Sequence, residues 1–329
     1  MENIVVVGGG TGTFTVLRGL KNYPQTNLSA IVTMTDDGGS TGRLRDEFGV
    51  LPLGDVRQCL IALAKEDEAS RILRELFIYR FPKSESSENG GHNFGNLFLT
   101  ALTDILGSEA EAIEAAAEVL NVRGKIYPVT EEDVQLAAQY SDGNVLIGES
   151  KIDEPNCEKH DCRTRVIKLW TQPEAQLNPE AKEAILQADK IVIGPGDLYS
   201  SLLSNVVIKG VPEAIGESKA KFIYVTNLVS KYGQTHGMSQ SDYVAEIAKY
   251  TKRKPDTILV NNAEADEDIL AKYARENSFP VQDDLGEAAN VVRKDLLSEE
   301  KIEREKNDAI KRSLLRHDSD KLASAIIAI

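Results

Sequence analysis

The hydrophobic pattern opens with a short solid run. Residues 4–7 are apolar and β-branched at every position, as in a strand buried on both faces of a parallel sheet, and they lead into Gly8, Gly9 and Gly10. From 14 to 20 the spacing becomes helical. A glycine turn between a buried strand and a helix lets the backbone approach a ligand, and the unpaired N–H groups at the helix start favour an anion. The stretch GGGTGTF is therefore read as a phosphate cradle formed by Gly9, Gly10, Thr11, Gly12 and Thr13. It approximates G-x-G-x-x-G without the last glycine, and no Lys-Ser/Thr pair follows as in a P-loop.

The same rhythm returns at once. Residues 28–35 read as a second strand with Asp36 and Asp37 at its end, where a Rossmann unit carries an acid for ribose. These acids suit ribose hydroxyls or a magnesium ion. A second glycine-rich loop follows, with Gly38, Gly39 and Ser40, and then Arg43 and Arg45, whose guanidinium groups suit phosphate oxygens. In LPLGDVRQCLIALA, Asp55 starts an apolar helix, either as its cap or as a carboxylate facing the crevice. Arg57 places a cation at the positive end of that helix and so calls for an anion. A helix is expected over 68–81, and the polar stretch 83–91 reads as a mobile lid. His92, Asn93 and Asn96 precede an apolar helix over 97–106 and are read as ligand contacts. The Ala- and Glu-rich helix over 109–120 reads as outer scaffold.

Over 125–172 the period changes to alternation, with an Asp142-Gly143 hairpin turn. A small antiparallel insertion is expected there, to cover the site or to mediate oligomerisation. The α/β rhythm resumes with a helix over 178–188, a strand over 190–193 and the junction GPGDLYSSLL. Here Gly194 and Gly196 make the turn, Asp197 caps the next helix, and Ser200 lies in its first turn. A strand over 222–226 ends on Asn227, and the following loop carries Lys231. Another helix is expected over 242–250, capped by Ser239 or Ser241, and a strand over 257–261. Residues 298–329 read as a charged connection and a terminal helix for docking or subunit contact.

The chain has 329 residues, 41% hydrophobic and 27% charged. That length accommodates one or two domains, and the continuous α/β pattern is read as one. A formal net charge of −14 argues against nucleic acid, which is bound by clustered Lys and Arg. No apolar run reaches the roughly 20 residues of a membrane span, and no charged leader precedes the first strand, so a cytoplasmic protein is expected. Cys59 sits in an apolar helix. Cys157 and Cys162 flank His160 without a disulfide framework, so reduced thiols are expected, and zinc would lack a fourth ligand.

Taken together, GGGTGTF, MTDDGGSTGRLR, LPLGDVRQCLIALA, GHNFGNLFLTAL, IGPGDLYSSLL and TNLVSKYGQTHGMSQSDYV closely resemble the YvcK-type gluconeogenesis factors, bacterial relatives of the CofD 2-phospho-L-lactate transferases. The resemblance runs through nearly the whole chain. It implies a Rossmann-like three-layer α/β/α fold with a mainly parallel sheet and the ligand at its carboxyl edge. It also implies a cytoplasmic factor needed for growth and cell shape on gluconeogenic carbon sources, linked to cell-wall synthesis and binding UDP-sugars such as UDP-N-acetylglucosamine. In the transferase branch, the acids that serve metal and substrate fall on Asp37 and Asp55. The GHN and GPGD segments would correspond to nucleotide-contacting loops. TDDGGSTGRLR and GHNFGNLF take the gluconeogenesis-factor form, which argues against copying a transferase reaction from fold alone. The expected protein is a nucleotide-sugar-binding regulator with no catalytic residues, acting as a homo-oligomer with cell-wall or morphogenesis proteins as partners. The alternatives are a magnesium-dependent transferase and an NAD-binding protein.

Overall fold

Strand β1 (Glu2–Gly8) lies at the middle of the molecule. Ile4, Val5, Val6 and Val7 are at most 2% exposed, and burying each such side chain contributes roughly 1.5–3 kcal/mol. The computed structural model describes residues 1–66, 68–82, 90–299 and 314–329. β1 pairs in parallel with β2 (Thr26–Val32), which pairs with β3 (Lys125–Pro128). A separate three-stranded antiparallel sheet, with β4 at its centre, holds β4 (Gln135–Tyr140), β5 (Val145–Ile147) and β6 (Val166–Gln172). The main sheet continues on the other side of β1 through β7 (Lys190–Ile193), β8 (Lys221–Val225), β9 (Thr257–Asn261) and β10 (Val291–Lys294). Its order is β10-β9-β8-β7-β1-β2-β3, and every pairing is parallel.

The helices are α1 (Gly10–Leu20), α2 (Gly39–Phe48), α3 (Gly54–Leu63), α4 (Glu68–Ile78), α5 (Phe94–Leu106), α6 (Glu109–Val119), α7 (Glu149–Asp153), α8 (Pro179–Leu186), α9 (Ser204–Val206), α10 (Val211–Glu217), α11 (Gln240–Thr251), α12 (Glu267–Arg275) and α13 (Ser319–Ile327). Leu198–Leu203 winds as a π-helical turn. The chain steps outward from β1 to β3 and then outward the other way from β7. Helices flank the sheet, as expected of right-handed crossovers between parallel strands, and α13 returns to pack on α1.

Several expectations need correction. α1 begins at Gly10, not Phe14, so the glycines are its first turn. The second glycine-rich loop is the start of helix α2, with Gly38 at its N-cap. Lys125–Pro128 belongs to the main sheet, so the small sheet begins only at Gln135. Cys157 and Cys162 form a disulfide, where free thiols were expected. Both sulfurs are thereby taken, leaving no thiolates there for zinc. The terminal helix docks within the chain: a Cβ on Gly19 of α1 would overlap the Ser319 carbonyl of α13, and Lys190 donates to the carbonyls of Ile326 and Ile327 at 3.1 and 3.2 Å. The expected lid falls mainly on residues 83–89, and the charged connection mainly on 300–313, outside the described residues.

Candidate functional site

The strand order reverses direction between β1 and β7. Open α/β sheets bind ligands in the crevice at such a reversal. Here the turns leaving the two strands touch, and Gly12 permits it. A Cβ at that position would overlap the Pro195 carbonyl oxygen, so the first turn of α1 rests on the backbone of the second turn. Gly10 has φ +64°, a left-handed conformation that favours glycine. A cavity of about 850 Å³ opens at this junction.

Gly9, Gly10, Thr11 and Gly12 line the cavity, as do Gly196, Asp197, Asn227 and Lys231. No side chain of the N-cap residue closes the start of α1. The Gly10 N–H goes to the Asp55 carboxylate, whereas those of Thr11 and Gly12 lie in the first turn, where a helix offers no internal acceptor. Thr13 is buried, and its hydroxyl turns back to the Gly9 carbonyl at 3.2 Å. Gly194 shapes the turn at φ +85° and does not line the cavity.

A knot of charge holds one wall. Lys231 Nζ reaches Asp153 Oδ1 at 2.6 Å and Asp197 Oδ2 at 2.7 Å. Asp197 thus pairs with lysine where the sequence suggested a side-chain cap. Burial works against the lysine's charge, but the two carboxylates outweigh it and hold its pKa above the usual value. Ser200 Oγ donates to Asp153 Oδ1 at 2.7 Å and so braces the wall from behind. Asn227 Nδ2 donates to the Gly196 carbonyl at 2.7 Å, and its buried Oδ1 has no partner.

Behind the cradle the carboxylates crowd. Burial first, and then the charge of Asp36, push the Asp55 carboxyl up to about 7. Burial raises Asp36 as well, and raises Glu149 with help from Asp153, Asp36 and Asp55. The acid beside Asp55 is Asp36, whose Oδ2 lies 3.0 Å from where a Cβ on Gly54 would stand. Asp37 turns away, and its Oδ1 accepts the Ser150 N–H at 2.8 Å. The pair on offer to a magnesium ion is therefore Asp36 and Asp55, not Asp37 and Asp55. Two crowded carboxylates beside a helix N-terminus would suit magnesium if a phosphorylated ligand were bound there, since that ion takes one or two carboxylates plus phosphate oxygens.

The remaining expected contacts form a separate clamp. Arg57 Nε donates to Asn96 Oδ1 at 2.8 Å and its Nη1 to the Phe77 carbonyl at 3.2 Å. Asn96 Nδ2 donates to Thr41 Oγ1 at 3.3 Å. Asn93 caps α5 by accepting the Asn96 N–H and donates to the carbonyls of Ile78 and Tyr79. His92 Nδ1 meets Ser40 Oγ at 3.1 Å, and burial and then Arg43 lower the pKa of the ring. Arg43 donates to the Gly90 carbonyl at 3.2 Å through both terminal nitrogens. Arg45 binds Asp133 and the Val134 carbonyl. Gly38 donates to Asp36 Oδ1 at 2.8 Å, and Gly39 stands open to solvent. None of these residues lines the cavity, although Asp36 and Thr41 both face Gly54 and so join the clamp to the acids.

Sequence reasoning missed part of the lining: Gln58, Asp153, Tyr232, Tyr273 and 315–317. His317 is 6% exposed, and burial pushes it down to about 4, so it is neutral at pH 7, with its Nε2 unpartnered. The last of these residues lie more than 300 positions along the chain from Gly9 to Gly12, and no spacing rule ties them to that turn.

Comparison with known proteins places these features in a family. A sequence model of the family "2-phospho-L-lactate transferase CofD" matches residues 4–300. The gluconeogenesis factor of Bacillus subtilis (strain 168) is 37% identical over 331 residues, covering 98% of this chain and 96% of that protein. That of Listeria innocua is 38% identical, covering 99% and 95%. A crystal structure of a UPF0052 family member from Bacillus halodurans superposes with a TM-score of 0.87 at 36% identity, covering 99% of this chain and 100% of that one.

Proposed function

The chain belongs to the CofD family, among the gluconeogenesis factors, and on that premise we propose that it is a regulatory factor that binds a nucleotide sugar such as UDP-N-acetylglucosamine. The observation that carries this is the cavity at the strand-order reversal, lined by the first turn of α1, whose N-cap residue offers no side chain to its N–H groups. Its volume falls within the range of small-molecule sites. The diphosphate would sit on the N–H groups of Thr11 and Gly12, and Asn227 Oδ1 offers an acceptor for a ligand hydroxyl. On this reading the protein acts in the cytoplasm as a homo-oligomer, supports growth on gluconeogenic carbon sources, and reports to cell-wall synthesis or morphogenesis proteins. Among the described residues no helix is long and apolar enough to cross a membrane.

A second reading is favoured by one specific feature. The crowding of Asp36 and Asp55, which Arg57 offsets only in part, suits a magnesium-dependent transfer of a phosphorylated group, with the ion neutralising charge on a leaving phosphate. Calorimetric titration separates the readings. UDP-N-acetylglucosamine, NAD and GTP are each titrated with and without magnesium. Metal-independent binding of the UDP-sugar is expected. Binding of GTP alone, and only with magnesium, would replace the regulator with the transferase, and binding of NAD alone would make the protein a dinucleotide binder.

A further inference from the structure

The loop from α7 to β6 forms part of the cavity wall: Asp153, Glu154, Pro155 and Cys157 all line it. Two anchors hold that wall. The first is Asp153 Oδ1, which accepts from Lys231 Nζ at 2.6 Å, Ser200 Oγ at 2.7 Å and Gln234 Nε2 at 3.1 Å. The second is the Cys157–Cys162 disulfide, beside which the Cys162 carbonyl accepts the Gly233 N–H at 3.0 Å. Gly233 packs so closely that a Cβ on it would overlap Pro155.

The two sulfurs differ in access. Cys162 is 1% exposed, whereas Cys157 is exposed at the cavity. Exchange begins where a thiolate can reach a sulfur, so Cys157 is attacked first. The Pro155 carbonyl oxygen stands 3.5 Å from Cys157 Sγ and 3.8 Å from Cys162 Sγ. Disulfide sulfurs have no proton to give it, but the thiols formed on reduction do. The oxidised loop therefore already carries an acceptor for its reduced form.

We propose that Cys157–Cys162 is a thiol–disulfide exchange site for a small dithiol, and that its redox state sets how firmly the cavity holds a phosphorylated ligand. The effect on affinity rests on the nucleotide-binding reading, and the exchange site does not. In the first step a thiolate of the reagent attacks Cys157 Sγ. The Cys157–Cys162 bond breaks, and its electron pair leaves on Cys162 Sγ, which takes up a proton. The reagent's second thiolate then attacks the reagent sulfur of the mixed disulfide, releasing Cys157 Sγ to be protonated. Two electrons and two protons pass to the protein, and the reagent closes to a cyclic disulfide. With the ring opened, the wall keeps the Asp153 anchor and the Gly233 contacts but loses its covalent tie between Cys157 and Cys162, and the ligand is held less firmly. Cys59 takes no part, since it is fully buried and burial raises its thiol far above the usual range.

The test uses the full chain, oxidised with diamide or reduced with dithiothreitol, followed by alkylation with iodoacetamide and mass spectrometry. Two added groups are expected, on Cys157 and Cys162, in the reduced sample alone. Labelling of both cysteines after diamide would overturn the exchange site. UDP-N-acetylglucosamine should bind several-fold more weakly to the reduced protein. The double variant Cys157→Ser/Cys162→Ser should bind like the reduced form and ignore dithiothreitol. Equal affinity of oxidised and reduced wild-type protein would sink the coupling, whatever the variant does. If the UDP-sugar binds neither form, the nucleotide reading has failed, and alkylation alone decides the exchange site.

Discussion

Two regions of this molecule are written in nearly the same letters. GGGTGTF and the pair GGSTG and GHNFGN all set glycines and small polar residues ahead of a helix. At the first, the glycines let two backbone turns touch and leave helix N–H groups at the edge of a cavity. At the second, the polar side chains spend their hydrogen bonds on one another: Asn96 on Arg57 and Thr41, Asn93 on two carbonyls, His92 on Ser40. A ligand site differs from a clamp in what remains unpaired. Residue types alone do not carry that information.

The comparison breaks most visibly at Gly12. Gly12→Ala should destabilise the protein by about 3 kcal/mol, because the new Cβ overlaps the backbone carbonyl of Pro195 and no rotamer relieves it. Urea denaturation checks this, and an unchanged midpoint would mean that the two turns do not rest on each other. At the clamp the corresponding test is Arg57→Ala. It removes charge-assisted bonds to Asn96 Oδ1 and the Phe77 carbonyl, so a stability loss of about 1.5–3 kcal/mol is expected with nucleotide affinity unchanged. A fall in affinity without a loss of stability would move Arg57 into the site, as its place near a helix start first suggested.

The parallel strands were legible because burial on both faces demands solid apolar runs, as at Ile4 to Val7 and Ile258 to Val260. β10 escaped notice. Its sequence, VVRK, is short and only half-buried at the sheet edge, where the apolar demand lapses. α12 escaped for a related reason, since none of its residues is fully buried. The junction at Gly8 to Gly12 was readable because a strand, a glycine turn and a helix are contiguous in sequence. Asp153, Tyr273 and His317 were not, since only the fold brings them to the cavity. The choice between Asp36 and Asp37 was equally hidden. Both lie beyond the end of β2 at Val32, where no strand alternation fixes their directions, and the Ser150 N–H claims Asp37.

Asp55 sharpens the contrast through pH. Its folded pKa, about 7, lies above the ordinary aspartate value of 3.8. Between those values the folded state holds a proton that the unfolded chain has lost, so stability falls as pH rises from about 4 to 7 and stays lower above. Asp55→Asn removes the penalty. The variant should therefore be more stable than wild type at pH 8 by about 1–2 kcal/mol, a figure discounted for the residue's partial exposure, with the gain fading toward pH 5. Thermal denaturation across that range checks the sign. Phosphate binding to wild type should strengthen over the same fall in pH, as the carboxyl beside the Gly10 N–H loses its charge.

The smallest effect is expected at Arg43, and it cuts between the two regions. Sequence alone makes Arg43 a phosphate ligand; the fold puts it on an exposed face of α2, donating to the Gly90 carbonyl and away from the cavity lining. Arg43→Ala should shift stability by less than about 0.5 kcal/mol, as exposed substitutions do, and leave UDP-N-acetylglucosamine affinity unchanged. Charge at this distance is screened by salt, so calorimetry at low and physiological ionic strength should agree. A tenfold loss at both would show that α2 swings onto the ligand, and the clamp would then be a second half of the binding site.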